Sequence, residues 1–149
     1  MFPNTKPSEL VSVLATYNPV SLGASTVTTG WINAANHHHF LALLQTGVLG
    51  ASATLDAKIR QATDSSGTGA KDVTGKAITQ IVKASGDNKQ AEINLRATDL
   101  DVNGGFSYIT LSITVGTAAS LVSAALLGFS DRYLPGSDHN QASVVEIVA

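Results

Sequence analysis

The stretch Ala53-Thr54-Leu55-Asp56-Ala57-Lys58-Ile59-Arg60 alternates small or apolar residues with polar ones at every step. Successive side chains on a β-strand point to opposite faces, so this stretch presents one greasy face and one wet face. Ala91-Glu92-Ile93-Asn94-Leu95-Arg96-Ala97 repeats the pattern. Tyr108-Ile109-Thr110-Leu111-Ser112-Ile113-Thr114-Val115 adds a run rich in β-branched residues, which suits a pleated, half-buried surface. Leu55, Ile59, Ile93, Leu95, Ile109, Leu111 and Ile113 are the side chains this alternation sends to a core.

Working outward, Ser25–Ile32, His38–Thr46, Lys76–Lys83 and Leu121–Phe129 also read as strands. In His38–Thr46 both faces are apolar, with Phe40, Ala42 and Leu44 on one and Leu41 and Leu43 on the other. That is the pattern of a central strand in a covered sheet. Leu10–Tyr17 fits a short helix or a strand, and Asn18-Pro19 demands a turn or an extended link. Thr63–Ala70 is a loop by composition, and Ser85-Gly86-Asp87-Asn88 predicts a hairpin from Lys76–Lys83 into Gln90–Ala97. About eight strands at this spacing predict an all-β fold, a single antiparallel β-sandwich or jelly-roll-like domain with extended termini. Residues 1–9 form an N-terminal arm and residues 10–149 the sandwich, with a C-terminal extension from about residue 134.

Composition narrows the function classes. The 149 residues include no cysteine, which excludes disulfides and thiolate zinc sites. Net charge is −2, so the basic surface that phosphate neutralisation requires is missing and no nucleic-acid partner is expected. No apolar run is long enough to span a bilayer and no signal peptide is expected, so no membrane partner is predicted. Charged residues are only 13% of the chain, about half the usual share. Surfaces covered by neighbouring subunits are depleted in charge, so the composition suits self-association.

Residues that carry chemistry are scarce. His37-His38-His39 places His37 and His39 on one face of a strand. A zinc site needs a further ligand, and the remaining histidine, His139, has no motif around it. Asp99-Leu100-Asp101-Val102-Asn103-Gly104 matches the opening of a calcium loop, making Asp99, Asp101 and Asn103 the metal-ligand candidates. Thr110 occupies the twelfth position, where a bidentate Glu is wanted. The flanks read as strands, so an Asx-rich turn with Gly104-Gly105 accounts for the motif without a cation. Trp31, Tyr17, Tyr108 and Tyr133 could make a sugar platform, but so few aromatics are better assigned to packing. With no cysteine nucleophile and no Gly-x-Ser-x-Gly elbow, no catalytic residue, enzymatic activity or cofactor is expected.

The run Ala53–Asp72, Gly75-Lys76-Ala77-Ile78-Thr79-Gln80 and Gly104-Gly105-Phe106-Ser107-Tyr108-Ile109-Thr110-Leu111 resemble segments of small structural proteins of tailed bacteriophages. The resemblance runs from about Ser25 to Tyr133 and rests on strand and turn residues. It implies a virion component that decorates or cements the outer capsid surface, bridging major capsid subunits and copies of itself after synthesis in the host cytoplasm. A head–tail connector, a tail component, or a receptor- or carbohydrate-binding module on the virion stand as alternatives. The subunit contacts expected on this reading are Phe2, Pro3 and Pro7 in the arm and Val144, Val145 and Ile147 at the C-terminus. Extended ends of this kind could pair with a neighbour's sheet edge.

Overall fold

The computed structural model describes residues 6–132 and 143–148. A single helical turn, Pro7–Leu10, leads into ten strands: β1 (Val11–Leu22), β2 (Ser25–Thr28), β3 (Ile32–Asn33), β4 (His37–Thr46), β5 (Thr54–Ala62), β6 (Lys71–Ala77), β7 (Ile81–Val82), β8 (Gln90–Arg96), β9 (Tyr108–Gly116) and β10 (Ser120–Asp131). They form two antiparallel sheets, ordered β1-β10-β4-β8 and β2-β9-β5-β6, with β3 also pairing β9 and β7 also pairing β5. Treating β2 with β3, and β6 with β7, as interrupted single strands leaves eight. Consecutive strands then alternate between sheets except at β5 and β6, which are neighbours in one sheet, as in the double Greek key of a jelly roll.

The core lies between the sheets, about as the alternation demands. Leu55, Ile59, Ile109, Leu111 and Ile113 are fully buried, joined by Ile93 and Leu95 from β8 and by Phe40, Leu44, Val122 and Leu126. The helix-or-strand alternative at Leu10–Tyr17 resolves as strand from Val11 onward, with Leu10 closing the helical turn. β1 runs straight through Asn18-Pro19, with register shifts at Val13/Ala15 and Tyr17/Val20. Proline donates no ladder bond and survives here because β1 is an edge strand. Pro7, expected in an extended arm, instead begins the helical turn, where its missing N–H costs nothing.

Two expectations in the middle of the chain are corrected. Lys76–Lys83 is not one strand: β6 ends at Ala77, β7 is Ile81–Val82, and Lys83–Gly86 is a helical turn. Nor do Ser85–Asn88 close a hairpin, because β7 pairs β5 in one sheet while β8 pairs β4 in the other. The turn residues are used to cross between sheets. Gly86 is wedged where a Cβ would lie 2.4 Å from Ile81 Cγ2 and 2.7 Å from Leu49 Cδ1. Its carbonyl accepts from Thr46 Oγ1 at 2.7 Å, and Asp87 accepts from the Leu49 amide at 2.8 Å. A two-strand hairpin lacks these tertiary partners, and they decide the path.

Candidate docking surface

The outward face of the β1-β10-β4-β8 sheet is apolar where solvent would favour polar residues. Pairing registers place Val13, Leu127, Leu41 and Asn94 in one row across the four strands. Thr16, Ala125, Leu43 and Glu92 form the next row, and Val11, Phe129, His39 and Arg96 the row on the other side. The stripe over β1, β10 and β4 is thus mainly apolar, interrupted by Thr16 and bounded at one end by His39, and the charged side chains Glu92 and Arg96 fall on β8 at its margin. An apolar centre with a polar rim is the anatomy of a protein interface.

Two depressions continue that stripe. The first, a cavity of about 490 Å³, is lined by Val13, Thr16, Tyr17, Leu43, Ser123 and Ala125, together with Ser143 and Val144 of the C-terminal segment. The second, about 540 Å³, shares Pro19, Gln45 and Ser123 with the first and extends to Val20 and Leu121. Val20 and Leu121 are exposed, and so are Val145, Ile147 and Val148 beyond the seated Val144. Ser143–Val148 belongs to no strand. Edge pairing along β1 is opposed by its two register shifts and by Pro19.

The opposite outer face, on β2-β9-β5-β6, is polar. Thr26 and Thr114 hydroxyls are 2.8 Å apart, Gln80 donates to Asp56 at 2.8 Å, and Asp72 receives Lys58 at 2.7 Å and Arg60 at 3.2 Å. The aromatics do not gather on it. Trp31 packs against the loop at Gly67, Lys71 sits 4.1 Å over the Phe106 ring, and Tyr17 lines the groove on the other sheet.

The expected metal ligands are engaged with lysines and turn amides. Asp101 accepts from Lys71 Nζ at 2.6 Å and from the Gly104 amide at 3.0 Å, while Asp99 accepts from the Arg96 amide at 2.8 Å and pairs with Lys76 at 2.9 Å. Asn103 is exposed in a turn of 3-10 helix. Among the described residues no three His, Asp or Glu converge on a common point. The histidines do not share a face as the strand pattern predicts: His37 is buried, whereas His39 is exposed with Nδ1 3.3 Å from Ser130 Oγ. Ser130 adopts φ +54, and the Asp131 that follows lies 2.9 Å from His37 Nε2, though off the hydrogen-bonding direction. No side-chain alternation reports this irregularity in advance.

Of the expected contacts, Val144 lines the groove and Val145 and Ile147 stand exposed, while Pro7 lies in the helical turn. Phe2, Pro3, Tyr133 and His139 lie outside the described residues. Sequence reasoning missed Leu127, Ala125, Val13 and Leu121. The signal for the face was present in the second apolar side of β4, Leu41 and Leu43.

Several surface carboxylates tie the polar side together and carry an acid dependence. The Lys58 ammonium holds Asp72 below the ordinary carboxylate range, and the Arg96 amide followed by Lys76 does the same for Asp99. Lys71 lowers Asp101, and Lys83 with the Leu49 amide lowers Asp87. A carboxyl more acidic in the folded state stabilises it fully above the unfolded-state value, about pH 4. That contribution disappears as pH falls through the lower folded-state values, since the unfolded chain binds more protons. Urea midpoints should therefore hold from pH 6 to about 4 and then fall, and Asp99→Asn should flatten the fall. A midpoint unchanged at pH 3 would contradict the assignment.

No family model matches the chain, and no curated protein does. Among solved structures, one of Triatoma virus matches at 8% identity and TM-score 0.49, over 93% of this chain and 72% of that one. One of Broad Bean Stain Virus matches at 12% identity and TM-score 0.44, over 73% of this chain and 62% of that one, so this chain spans less than two thirds of its length. A carbohydrate-binding module, CBM4, matches at 11% identity and TM-score 0.45, over 78% of this chain and 68% of that one. The viral matches are to capsid proteins of small non-enveloped RNA viruses, which corrects the expected kinship with tailed bacteriophages and with it the capsid decoration and cement roles. Strand alternation and Gly-rich turns belong to the jelly roll generally, and so could not distinguish the two. The chain is a jelly-roll β-sandwich domain resembling both viral capsid proteins and carbohydrate-binding modules.

Proposed function

We propose that this chain is a structural, non-catalytic virion protein of small icosahedral type, at the particle surface, that holds to copies of itself and to neighbouring capsid subunits through the outer face of β1-β10-β4-β8. The observation that carries this reading is the apolar stripe of Val13, Leu127, Leu41, Ala125 and Leu43, bounded by charged residues on β8. A jelly roll hosts capsid and lectin-type domains alike, so the surface must choose between them. A sugar site wants aromatic faces for stacking. The polar sheet supplies hydroxyls and ion pairs, with Trp31 and Phe106 each occupied by the chain itself. The apolar sheet suits a protein partner.

Placing a charge in the middle of the stripe tests the reading. Leu43→Glu sits at a half-buried outward position, so the melting temperature should move by only a few degrees. Burying the added carboxylate in an interface should weaken association at least about tenfold, equivalent to roughly 1.4 kcal/mol. Sedimentation velocity across a concentration series reads the effect, with electron microscopy for larger assemblies. A wild-type chain that stays monomeric at millimolar concentration, or a variant that associates as well as wild type, would overturn the proposal.

A further inference from the structure

Two open sheets leave four edge strands, and three of them are blunted. β1 carries Pro19 and two register shifts, β2 is only four residues long, and β6 meets β5 across a register shift with Gly75 at φ +73. Breaks of this kind keep an edge from templating another strand. β8 has none of them. It runs for seven residues without proline or glycine, in unbroken register with β4 from Gln90 opposite Gln45 to Arg96 opposite His39. Two hydrogen bonds fix the direction of its backbone groups. The Thr46 amide donates to the Lys89 carbonyl at 2.9 Å, so Lys89 turns its main chain toward β4. The Arg96 amide donates to Asp99 Oδ2 at 2.8 Å, away from β4. In an antiparallel ladder the two groups of one residue point the same way and successive residues alternate. Ala91, Ile93 and Leu95 therefore bond β4, while Gln90, Glu92 and Asn94 turn their amides and carbonyls to the open edge. The side chains of Glu92, Asn94 and Arg96 are exposed, and those of Ile93 and Leu95 are buried in the sandwich.

The sequence of this edge is its own antiparallel complement. Turned back on itself about Asn94, Ala91-Glu92-Ile93-Asn94-Leu95-Arg96-Ala97 sets Glu92 against Arg96, Ile93 against Leu95 and Ala91 against Ala97. We infer that β8 pairs antiparallel with β8 of a second copy about a two-fold axis through Asn94, joining two four-stranded sheets into one. Asn94 then meets the partner's Asn94, and Glu92 meets the partner's Arg96 once on each side of the axis, so opposite charges face each other across the seam. Each contact occurs twice, as an isologous pair requires. Main-chain hydrogen bonds supply the affinity, as they do wherever a strand is added to a sheet edge. At the Arg96 amide the partner's Glu92 carbonyl replaces Asp99, which keeps its pair with Lys76 Nζ at 2.9 Å. A foreign strand would have to supply the reversed order of charges, whereas a second copy already carries it. The axis stands perpendicular to the sheet, so the apolar stripes of both copies lie on the same side. This contact is separate from the face proposed above, does not require it, and leaves it open to a further subunit.

The test uses the full chain and reverses charges at exposed positions. Glu92→Arg and Arg96→Glu each place like charges across both contacts. Each should lower the dimer association constant about tenfold in sedimentation velocity, with the melting temperature moved by only a few degrees. In an equimolar mixture of the two single variants, opposite charges face each other again at both contacts. The mixture should therefore associate to within a few-fold of the wild type, and less so as salt is raised. Hydrogen exchange reads the backbone: the Glu92 and Asn94 amides should become protected as concentration rises through the dimerisation range. Leu127→Glu, on β10 with β4 between it and the seam, disrupts the apolar face and should leave the β8 pair in place. If Leu127→Glu abolishes association and the charge reversals do not, the face holds and the edge pairing is wrong. If the charge reversals dissociate the protein and Leu127→Glu does not, the edge pairing holds and the face reading fails. A mixture no stronger than either single variant, or Glu92 and Asn94 amides that exchange at one rate at every concentration, overturns the β8 pairing. A wild-type chain that is monomeric at millimolar concentration overturns both readings.

Discussion

Leu111→Asp is expected to abolish folding. Leu111 lies on β9, which is held between β2 and β5, and its Cα partner on β5 is the fully buried Ile59. The side chain itself is 0% exposed. Losing a buried leucine forfeits about 1.5–3 kcal/mol of transfer free energy, and a carboxylate left unpaired there adds a penalty of several kcal/mol. Together these approach or exceed the roughly 5–15 kcal/mol by which a domain is stable. Circular dichroism and a two-dimensional amide spectrum should show an unfolded chain. Leu111→Ala, costing about 2–5 kcal/mol, should remain folded with a lower melting temperature. A native spectrum for Leu111→Asp would show that β9 does not run through the core.

Gly128→Ala is expected to cost about 2–4 kcal/mol, a large effect for one methyl group, through overpacking and a disturbed buried polar pair. Gly128 sits on β10 between Ser12 of β1 and Phe40 of β4, so its backbone is fixed on both sides. An added Cβ would stand 2.5 Å from His37 Cδ2 and 2.8 Å from Nε2. The imidazole has little room to retreat: it is 1% exposed, its ring centroid is 5.8 Å from that of Phe40, and Asp131 lies 2.9 Å from Nε2. Asp131 in turn accepts from Ser12 Oγ at 3.2 Å, so a displaced ring disturbs three strands at once. His37→Ala removes the obstacle, and Gly128→Ala on that background should then cost much less than on the wild type. Urea midpoints for the four proteins of this cycle give the coupling directly. Additive effects would mean that the methyl is accommodated without moving the ring.

The strands β5, β8 and β9 and their seven core side chains were legible because alternation is a local property. Whether Leu55 or Asp56 faces inward is decided by the pleat, before any partner strand is known. The apolar second face of β4 was legible in the same way, although not what it was for. Partner choice was not legible. Ser85–Asn88 carries the residues of a hairpin, yet the chain uses them to cross between sheets, because Gly86 and Asp87 meet Ile81, Leu49 and Thr46 from distant parts of the chain. His37 and His39 part company for a comparable reason, the buried Asp131 at the far end of β10. The candidate surface belongs to the same class of fact. Val13, Leu127 and Leu41 are each one residue of an ordinary strand, separated by up to 114 positions of a chain read in order. Only the β1-β10-β4 pairing sets them side by side. Composition determined that much of this protein would be uncharged, and the non-local registry of its strands decided which face that would be.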